Sequence, residues 1–585
     1  MTLDLGFAPL LFPDGVEAGI VDVPGHERFL HNMLAGAAGM ELVLLVIAAN
    51  EGPKPQTREH LQILSLLNAQ HAIIVLSKAD LVQGDERTAA TELARAACSG
   101  TFAAGAPLIA VSTVTGEGLE ELKTAIHDTL AALPAQRIDA PAFMPVDRVF
   151  ALPGHGTIVT GTLMQGTIHT GDTLVLAPSG LPARIKSLQT FGAKRAVAYG
   201  GARVAVNLPG VEVGQIARGE ALVAARHFEP QTELALWFTA LPQALPLFRK
   251  RTPVRAHIGS AEIPGILRFT QGVPSEASPV AAQLTLSRPT AAYSGMRLVL
   301  RRLSPKDLLG GAVVQGVRVS ADASANSDSA GPKGAAEINA VLQAANLQPL
   351  SLEKLATQTN TLIENASAAL DWLIENGQAA TIQKPAEYLS SPAFNDAWLR
   401  AQALLRRQHE DAPWKVGIIA ADLAKTLALS EHLMLRLLNA WQEDGRVINR
   451  AGRWHAPDFS PSLSKAQRTF FESALAPDAA NALLPHSYAA LAQAVERARD
   501  LAESLDSLLA VGALVRIGDD VYRRSQIDQA KERVAATVAQ NGTATMAQVR
   551  DALGTSRKYA LPLMEYFDSS GFTIRDGDRR RLRGK

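Results

Sequence analysis

Short apolar runs alternate with stretches of helical period in the first quarter of the chain. Residues 18–21 are apolar and are predicted to form a strand, and residues 42–49 and 72–76 have the length and β-branched content of buried parallel strands. The second and third runs are each followed by a loop and then by a helical pattern. This alternation predicts an α/β domain with parallel strands over residues 1–136.

After residue 140 the pattern changes to short strands separated by Gly, Pro and Asp. Segments such as 156–162 and 166–168 are typical of β-hairpins that curl into closed barrels. A second β-rich stretch extends to residue 319. We therefore predict two β-barrels, at residues 140–228 and 229–319.

The remainder of the chain is helical and repetitive. Residues 320–334 are small and polar with no apolar period, which predicts a flexible linker. Beyond them, amphipathic helices are followed by Gly377, Gly445, Gly512 and Gly571, each at the start of a short hairpin, at intervals of roughly 60 to 70 residues. Helices followed by a two-stranded wing form a winged helix, a variant of the helix-turn-helix. The repeat predicts four such modules, at residues 335–395, 396–459, 460–526 and 527–585.

Composition fits a large protein with several cores. The 585 residues are 47% hydrophobic, and length alone predicts about four domains. The N-terminus has no basic region and the apolar runs fall far short of about 18 residues, so we expect a cytoplasmic protein with no membrane segment. The single cysteine, Cys98, excludes an internal disulfide and is expected to be a core residue. A net charge of zero does not exclude local basic surfaces.

A candidate phosphate and metal site follows the first apolar run. Asp22 lies at the end of that predicted strand, where a carboxylate can hold a Mg²⁺-bound water. The backbone N–H of Gly25 can point at a γ-phosphate, because a residue without a side chain allows close approach. His26 is a reorientable polar side chain placed where an attacking water would lie. These residues indicate nucleotide hydrolysis, with His26 positioning the water.

A candidate base site follows the third apolar run. Lys78 and Asp80 lie at the carboxyl end of the predicted strand, where open α/β sheets bind ligands. Asp80 can accept two hydrogen bonds from the N1 and N2 edge of guanine, while the Lys78 stem covers the base. Ser77 precedes them and can cap a nearby carbonyl or N–H. The loop with Ser112 and Thr113 is a further, weaker candidate for contact with the base.

Each motif alone is a common turn or a chance match, but their order is informative. Asp-Val-Pro-Gly-His at 22–26, Gln-Thr-Arg-Glu-His at 56–60 and Ser-Lys-Ala-Asp at 77–80 together resemble the translational GTPases over residues 1 to about 135. The resemblance implies GTP and Mg²⁺ as cofactors, with Thr2 matching the switch I threonine that closes on the metal. Ser77 departs from the family, which usually has Asn there.

One part of the family pattern does not occur in the sequence. A P-loop, G-x-x-x-x-G-K-[ST], holds the α and β phosphates and supplies the first Mg²⁺ ligand, and the chain contains no such motif. Residues 1–7 resemble the switch I segment that follows this loop in relatives. One strand–loop–helix unit of about 30 residues, including the central strand of the sheet, is therefore expected to be missing. Two explanations stay open: a start site assigned too far downstream, or a decayed protein that no longer binds GTP.

The two predicted barrels resemble those of elongation factor Tu, which binds aminoacyl-tRNA. Asp147 and Arg148 open the first barrel, and Arg203 lies where it can meet them across the barrel. In the selenocysteine-specific branch of the family, SelB, the matching residues line the aminoacyl pocket. Cationic groups there would favour a selenolate over a neutral seryl group, since a selenol ionises well below a thiol. Ordinary surface salt bridges are the alternative.

The last module has the strongest basic bias of the four. Its candidate RNA-binding residues, which start a helix and fill the terminal wing, are Arg557, Lys558, Tyr559, Arg575, Arg579 and Arg580. Such cations can grip the phosphates of a folded RNA while an aromatic or Arg face stacks on a loop base. A solvated basic tail and DNA binding are the alternatives.

From switch I to the C-terminus the chain resembles the SelB family. The expected architecture is an N-terminally truncated, GTPase-like α/β domain, two β-barrels and an array of winged helices. The resemblance implies a monomer that delivers selenocysteinyl-tRNA to the ribosome at UGA codons marked by an mRNA hairpin. GTP hydrolysis is expected from the family and impaired in the chain as given. A general tRNA-carrying GTPase and a GTPase-defective RNA-binding adaptor stay open as alternatives.

Overall fold

The computed structural model describes residues 6–23, 39–133, 138–270, 272–305, 307–315 and 331–583. They fall into two compact units, Met1–Ala345 with Leu350–Ala379 and Asn346–Pro349 with Ala380–Lys585. Three of the predicted site residues, Thr2, Gly25 and His26, lie outside the described part of the chain.

The N-terminal domain combines a parallel sheet with a separate hairpin. Its strands are β1 Gly6–Leu11, β2 Glu17–Asp22, β3 Val43–Ala48, β4 Ala72–Ser77 and β5 Leu108–Ala110, and its helices are α1 Pro55–Leu66, α2 Asp85–Cys98 and α3 Leu119–Ala131. Strands β3, β4 and β5 form the parallel sheet in that order, whereas β1 and β2 pair antiparallel in a sheet of their own. The α/β prediction is confirmed.

Gly118 and Cys98 each occupy a position in this domain that the surrounding structure restricts. Gly118, before α3, has a φ of +72°, and a Cβ there would lie 2.0 Å from the Ala110 carbonyl oxygen, so only glycine fits. Cys98 ends α2 in the apolar core, as predicted, and burial raises the pKa of its thiol. The loop after β5 and the back of the sheet are thereby fixed.

The first β-domain wraps three sheets around one apolar core. Its strands are β6 Phe143–Pro145, β7 Arg148–Leu152, β8 Gly156–Thr162, β9 Thr167–His169, β10 Thr173–Ala177, β11 Leu181–Arg184, β12 Ser187–Thr190, β13 Ala193–Arg195, β14 Val197–Tyr199, β15 Arg203–Leu208 and β16 Ala221–Val223. The sheets have the orders β11-β10-β16-β6, β13-β12-β15-β8-β7 and β14-β9. Along β15, Val204 and Val206 are buried on one face, whereas Arg203 lies on the opposite face and is partly exposed. The domain is barrel-like, as predicted.

The second β-domain is a closed antiparallel barrel. Its strands are β17 Gln231–Ala240, β18 Arg251–Ile258, β19 Ala261–Phe269, β20 Pro279–Thr290, β21 Arg297–Arg302 and β22 Leu308–Val314. They close in the order β17-β20-β19-β18-β21-β22. Phe238, Phe248 and Phe269 pack at the centre with ring centroids 5.3 to 6.0 Å apart, the spacing of favourable aromatic pairs.

Three helices of the first winged-helix module are bonded to the first barrel. They are α4 Ala335–Ala345, α5 Leu352–Thr359 and α6 Ile363–Glu375. The side-chain amides of Gln165 and Asn360 donate to each other, both at 2.8 Å, and each residue is 3% exposed. The N–H of Ile363 also donates to the His227 ring at 3.2 Å. Leaving a buried amide unsatisfied costs about 1–3 kcal/mol, so this reciprocal pair fixes the helices to the barrel.

The second unit repeats the order helix, strand, two helices, two strands. A wing, β23 Ala379–Ile382 and β24 Glu387–Ser390, precedes the repeats. The first repeat consists of α7 Ser391–Asp411, β25 Ile418–Ile419, α8 Ala420–Leu427, α9 Glu431–Glu443, β26 Ile448–Arg450 and β27 Arg453–His455. The second consists of α10 Lys465–Ala474, β28 His486–Ser487, α11 Tyr488–Val495, α12 Arg499–Ala510, β29 Leu514–Ile517 and β30 Asp520–Arg523. The third consists of α13 Arg524–Asn541, β31 Ala544–Thr545, α14 Met546–Leu553, α15 Arg557–Ser569, β32 Thr573–Asp576 and β33 Arg579–Leu582. The predicted winged-helix array is confirmed.

A buried arginine explains why the first module is divided between the two units. Arg436 on α9 is 8% exposed, and its guanidinium lies 2.5 Å from Glu387 of the β23-β24 wing. It also donates to the carbonyls of Gln383, at 3.1 Å, and Pro385, at 2.6 Å. A buried charge is tolerated only when it is paired and fully hydrogen-bonded, and this one ties the wing to the second module.

Several expectations concern the connections between domains. The linker predicted at 320–334 lies outside the described residues as far as residue 330. The proposed limits of the individual modules stay predictions, and α7 begins at Ser391, inside the range assigned to the first module. No helix in the part of the chain that the structure describes combines the length and apolar character needed to cross a membrane.

A half-buried histidine in the second module has an unusual pKa. His409 on α7 stacks face to face on Phe459, with ring centroids 3.6 Å apart. Burial, with a smaller effect of His455 and an opposing one of Asp458, lowers the pKa of His409 to about 4. Its Nε2 has no hydrogen-bond partner among the described residues. The folded state therefore keeps this ring neutral at neutral pH.

The pH dependence of stability follows from this depressed pKa. In the unfolded chain His409 takes up a proton near its ordinary pKa of 6.5, whereas the folded state does so only near pH 4. The second module should therefore lose stability as pH falls from about 6.5 to about 4, because the unfolded state binds more protons in that window. Urea unfolding followed by the fluorescence of Trp398 and Trp441 measures this loss.

Two variants isolate the contribution of His409. His409→Phe keeps a ring against Phe459 and removes the titration, so it should flatten the pH dependence between about 4 and 6.5. His432→Gln, at an exposed position of α9 in the same module, should leave it unchanged. A parent-like pH profile for His409→Phe would contradict the assignment.

Candidate functional site

The two loops predicted to contact a base lie side by side at the carboxyl ends of β4 and β5. The N–H of Ala79 donates to the Val111 carbonyl at 3.1 Å, which joins the loops. Lys78 has a left-handed backbone, with φ at 57°, and its ammonium lies 2.9 Å from the Glu51 carboxylate. Asp80 is half-buried in the short 3-10 turn that follows. The Lys78 stem is thus held beside the loop that carries Asp80.

The serines of these loops are committed to internal hydrogen bonds. The Ser77 hydroxyl donates to the Ile47 carbonyl at 3.4 Å. Ser112 is fully buried, and its hydroxyl accepts two N–H groups of its own loop, both at 3.2 Å. Thr113 is exposed. A contact from Ser112 to a base would therefore use its backbone rather than its hydroxyl.

A cavity of about 1140 Å³ separates the β1-β2 hairpin from β3. Asp22, exposed at the end of β2, lines this cavity together with residues of β3. Among the described residues β3 is an edge strand, and Val46 on it is 60% exposed. Among the described residues, this edge of the parallel sheet is therefore open toward the cavity.

The base side of the candidate nucleotide site lies among the described residues, whereas Thr2, Gly25 and His26 of its phosphate side lie outside them. Asp80 offers a carboxylate acceptor, and Lys78 is held next to it by Glu51. On the phosphate side, Asp22 is the predicted water-mediated contact to Mg²⁺, but the sequence contains no P-loop. The described part of the chain also holds no group of three or more His, Cys, Asp or Glu arranged around a metal. The described residues therefore define a candidate site for the base.

In the first barrel, Asp147 and Arg203 form a two-pronged ion pair. The Arg203 Nη1 lies 2.6 Å from Oδ2 of Asp147, and Nη2 lies 2.9 Å from Oδ1. The two side chains are only 9% and 16% exposed. Thr160 donates to the same carboxylate at 2.8 Å. The neighbouring strands β7, β8 and β15 bring these residues together with Arg148, which pairs in register with Thr160. The predicted convergence of Asp147, Arg148 and Arg203 is therefore present in the fold.

An aromatic ring from the N-terminal hairpin covers the two arginines. The guanidinium carbon of Arg203 lies 3.4 Å from the ring centroid of Phe7, and that of Arg148 lies 5.2 Å away. Such cation–π contacts contribute about 0.5–2 kcal/mol each. Arg203 also lines the cavity beside Asp22. The barrel cluster, with two positive charges and one negative, thus borders the same space as the nucleotide-side hairpin.

The predicted RNA-binding residues of the last module are mostly exposed. Arg557 and Lys558 stand at the start of α15, with the Lys558 ammonium 5.2 Å from the centroid of the Tyr559 ring. Arg575 on β32 and Arg579 on β33 are exposed as well. These four cations are accessible to a phosphate backbone.

Arg580 departs from the prediction. Its side chain is 6% exposed, and its Nε lies 3.0 Å from the Asp568 carboxylate, which also accepts a hydrogen bond from Thr573 at 2.6 Å. Successive residues of a strand face opposite sides, so Arg579 points outward where Arg580 points into the module. Arg580 anchors the wing to α15, and the structure does not place it for contact with RNA.

Models of known families match three parts of the chain. The elongation factor Tu GTP-binding domain matches residues 11–132, and elongation factor Tu domain 2 matches residues 156–223. The winged helix of elongation factor SelB matches residues 536–582, in the last module. The order of the matches follows the order of the domains.

Similarity over the full length decides the family. The selenocysteine-specific elongation factor of Desulfomicrobium baculatum is 32% identical over 599 residues, which cover 100% of this chain and 94% of that protein. The chain belongs to the selenocysteine-specific elongation factors. The member from Escherichia coli strain K12 is 29% identical over 607 residues, covering 100% of this chain and 93% of that protein. The crystal structure of a bacterial selenocysteine-specific elongation factor, EF-Sec, covers 100% of this chain and 93% of its own at 24% identity, and its TM-score of 0.66 shows a shared fold.

In this selenocysteine-specific elongation factor, sequence reasoning missed three residues that shape the sites. Glu51 holds Lys78, and the hydrogen bonds from Lys78 and then from Lys54 lower the pKa of its carboxyl. Phe7 covers the barrel arginines, and Asp568 removes Arg580 from the surface. Each of the three residues contacts a partner that is distant in sequence or lies on a different secondary-structure element, so no sequence motif indicates its role.

The base assignment predicts a change in nucleotide preference for one substitution. Asp80→Asn should weaken GDP binding by about tenfold or more, since hydrogen bonds to a charged acceptor contribute about 1.5–3 kcal/mol. It should weaken IDP, which lacks the 2-amino group, by less, so that the preference for GDP over IDP disappears. Equilibrium titration with fluorescent GDP and IDP competition measures both affinities.

A matched acid and the parent protein provide the controls. Asp85→Asn removes an exposed carboxylate from the first turn of α2 and should leave the preference intact. Equal affinity of the parent for GDP and IDP, or an unchanged preference in Asp80→Asn, would contradict the role of Asp80.

Proposed function

We propose that this chain delivers selenocysteinyl-tRNA, in dependence on GTP, to ribosomes at UGA codons marked by an mRNA hairpin. The observation that carries the proposal is the cluster of Asp147, Arg148 and Arg203, whose two guanidinium groups lie over Phe7 of the nucleotide-side hairpin. Selenocysteine-specific relatives of full length support it. The protein would bring together the tRNA, the hairpin and the ribosome, and would act as a monomer.

In this proposal the N-terminal domain binds GTP through its base. Asp80 would accept from the guanine N1 and N2 groups, and the Lys78 stem would cover the ring. Asp22 would hold Mg²⁺ through water, with Thr2 as the switch ligand and His26 as the residue that positions the attacking water. Bound GTP and Mg²⁺ would supply the charge around which the switch segments order.

The barrel cluster would select the aminoacyl group by charge. Asp147 occupies both prongs of Arg203, and Arg148 adds a second guanidinium to the cluster. A selenolate would be attracted to these guanidinium groups, whereas a seryl hydroxyl would gain only a neutral hydrogen bond. Phe7 excludes water from one side of the two guanidinium groups and so strengthens the attraction.

The last module would address the complex to its codon. Arg557, Lys558, Arg575 and Arg579 would contact hairpin phosphates, and Tyr559 would stack on an unpaired base. Tethering the charged tRNA to the same message raises its effective concentration at one stop codon. A general tRNA carrier has no use for such an RNA-binding module, which favours the selenocysteine-specific function.

The selection step predicts different losses for two aminoacyl-tRNAs. Arg148→Ala removes one positive charge from the cluster while the Asp147–Arg203 pair stays intact. It should weaken selenocysteinyl-tRNA binding by about tenfold and seryl-tRNA binding by much less, because a hydrogen bond to a charged group contributes about twice a neutral one. Arg203→Ala should show the same bias, with a further loss for both tRNAs because Asp147 is left buried and unpaired. Filter binding in the presence of GTP measures both.

Arg184 provides the control for a general charge effect. It is an exposed arginine on β11 of the same barrel, and Arg184→Ala should reduce both affinities slightly and equally. Equal losses for selenocysteinyl- and seryl-tRNA in Arg148→Ala would refute selection by charge.

A further inference from the structure

One apolar core runs through the last two winged-helix modules. It combines residues of the third module with residues of α15, the helix that carries Arg557, Lys558 and Tyr559. The contributing side chains are Leu483, Ile517 and Tyr522 of the third module and Leu563, Met564 and Phe567 of α15. The two modules therefore share one core rather than forming two independent domains.

The wing of the third module is covered on both faces. Leu514 and Val521 of β29 and β30 pack into the core of their own module. Ile517 and Tyr522, on the opposite face of the same strands, pack into the core shared with α15. Burial, followed by the nearby charges of Asp520 and Tyr559, raises the pKa of Tyr522. This wing therefore supports the last module through Ile517 and Tyr522.

A loop of the third module holds the turn before α15. The side-chain amide of Asn481 donates to the carbonyl of Gly554 at 2.6 Å and to that of Leu553 at 3.3 Å. These carbonyls lie at the end of α14, in the turn of the helix-turn-helix. The Asn481 side-chain oxygen accepts the N–H of Leu483 at 2.9 Å, and Asp478 accepts the N–H of Asn481 at 3.0 Å. The amide is thereby aimed from a rigid loop.

The same loop is fixed from its other side by α13. Gln526 is 6% exposed and donates to the carbonyls of Ala482, at 2.8 Å, and Leu484, at 3.0 Å. The backbone that follows Asn481 is therefore bonded to α13, the first helix of the last module, while Asp478 accepts the N–H of Asn481 itself. We therefore expect a change at the Asn481 amide to act on the turn that it contacts.

We propose that the third module is a platform that sets the orientation of α15, with Asn481 as its positioning residue for RNA binding. Asn481 acts through Gly554 and does not touch the RNA. The inference rests on the proposed function in one respect, that α15 and the β32-β33 wing form the RNA-binding face. It goes beyond that function in giving the third module a task of its own.

The test is hairpin binding by the full chain carrying Asn481→Asp. This change keeps the acceptor for Leu483 and the size of the side chain, but replaces the donor to Gly554 with a carboxylate that repels the carbonyl. Affinity for a UGA-adjacent hairpin should fall about three- to tenfold, the equivalent of one hydrogen bond. The slope of log K against log salt should stay unchanged, because no phosphate contact is removed.

Two matched variants separate positioning from contact and from general damage. Arg557→Ala removes a proposed phosphate contact, so it should lower affinity and also reduce the salt slope by about one. Asn376→Asp alters the same chemistry elsewhere, since the Asn376 amide donates to the Trp372 carbonyl at 2.8 Å in the first module, and should leave hairpin binding unchanged. Amide hydrogen exchange of α13 in Asn481→Asp reports whether the shared core is intact; parent-like protection is expected.

The outcomes distinguish this inference from the proposed function. Parent-like affinity of Asn481→Asp, or a salt slope reduced as in Arg557→Ala, would overturn the positioning role. Lost protection of α13 would also overturn it, because Asn481 would then maintain the fold rather than aim the helix. Failure of the parent chain to bind the hairpin at all would instead contradict the proposed function.

Discussion

The apolar core shared by the last two modules is the constraint on which the RNA-binding end of this protein depends. Helix α15 is short, and its stability and direction come from packing rather than from its own propensity. Leu563 and Phe567 on its inner face are held against the third module's Ile517, which leaves Arg557 and Lys558 exposed at its start. If the wing of the third module did not pack against the last module, α15 would lose this support, and the direction of its exposed cations would no longer be fixed.

Charge is distributed in the chain according to burial. The protein has no net charge, and three arginines that are largely shielded from solvent each pair with one carboxylate: Arg203 with Asp147, Arg436 with Glu387 and Arg580 with Asp568. Desolvating a lone charge costs several kcal/mol, so these pairs offset part of the cost of shielding each guanidinium. Arg557, Lys558, Arg575 and Arg579, by contrast, are exposed on the module that is proposed to bind RNA phosphates. A basic run in the sequence therefore overstates the binding surface, because some of its cations form internal ion pairs. Arg580, which pairs with Asp568, is one of these.

The periodic features of the chain were predictable from sequence, and the non-local ones were not. Apolar runs, Gly-rich hairpins and repeated wings mark their elements locally, and the predicted end of β4 placed Lys78 and Asp80 in the loop where the structure has them. The amide pair of Gln165 with Asn360 spans 195 positions, and the bond from Asn481 to Gly554 spans 73, so neither leaves a pattern in the sequence. The contact of Phe7 with Arg203 joins two domains, and it too leaves no pattern in the sequence. Arg580 was misassigned because the face of a strand residue depends on register, which a run of arginines conceals.

The central claim is that exposed cations of the last module hold an RNA hairpin through its phosphates, and the salt dependence of hairpin binding by the full chain tests it most directly. Four such cations, Arg557, Lys558, Arg575 and Arg579, would each displace a counterion, which predicts a slope of log K against log salt of about −3. Substituting all four with Ala should bring the slope close to zero and abolish binding at physiological salt. A slope near zero for the parent protein, or a parent-like slope after the fourfold substitution, would contradict the account.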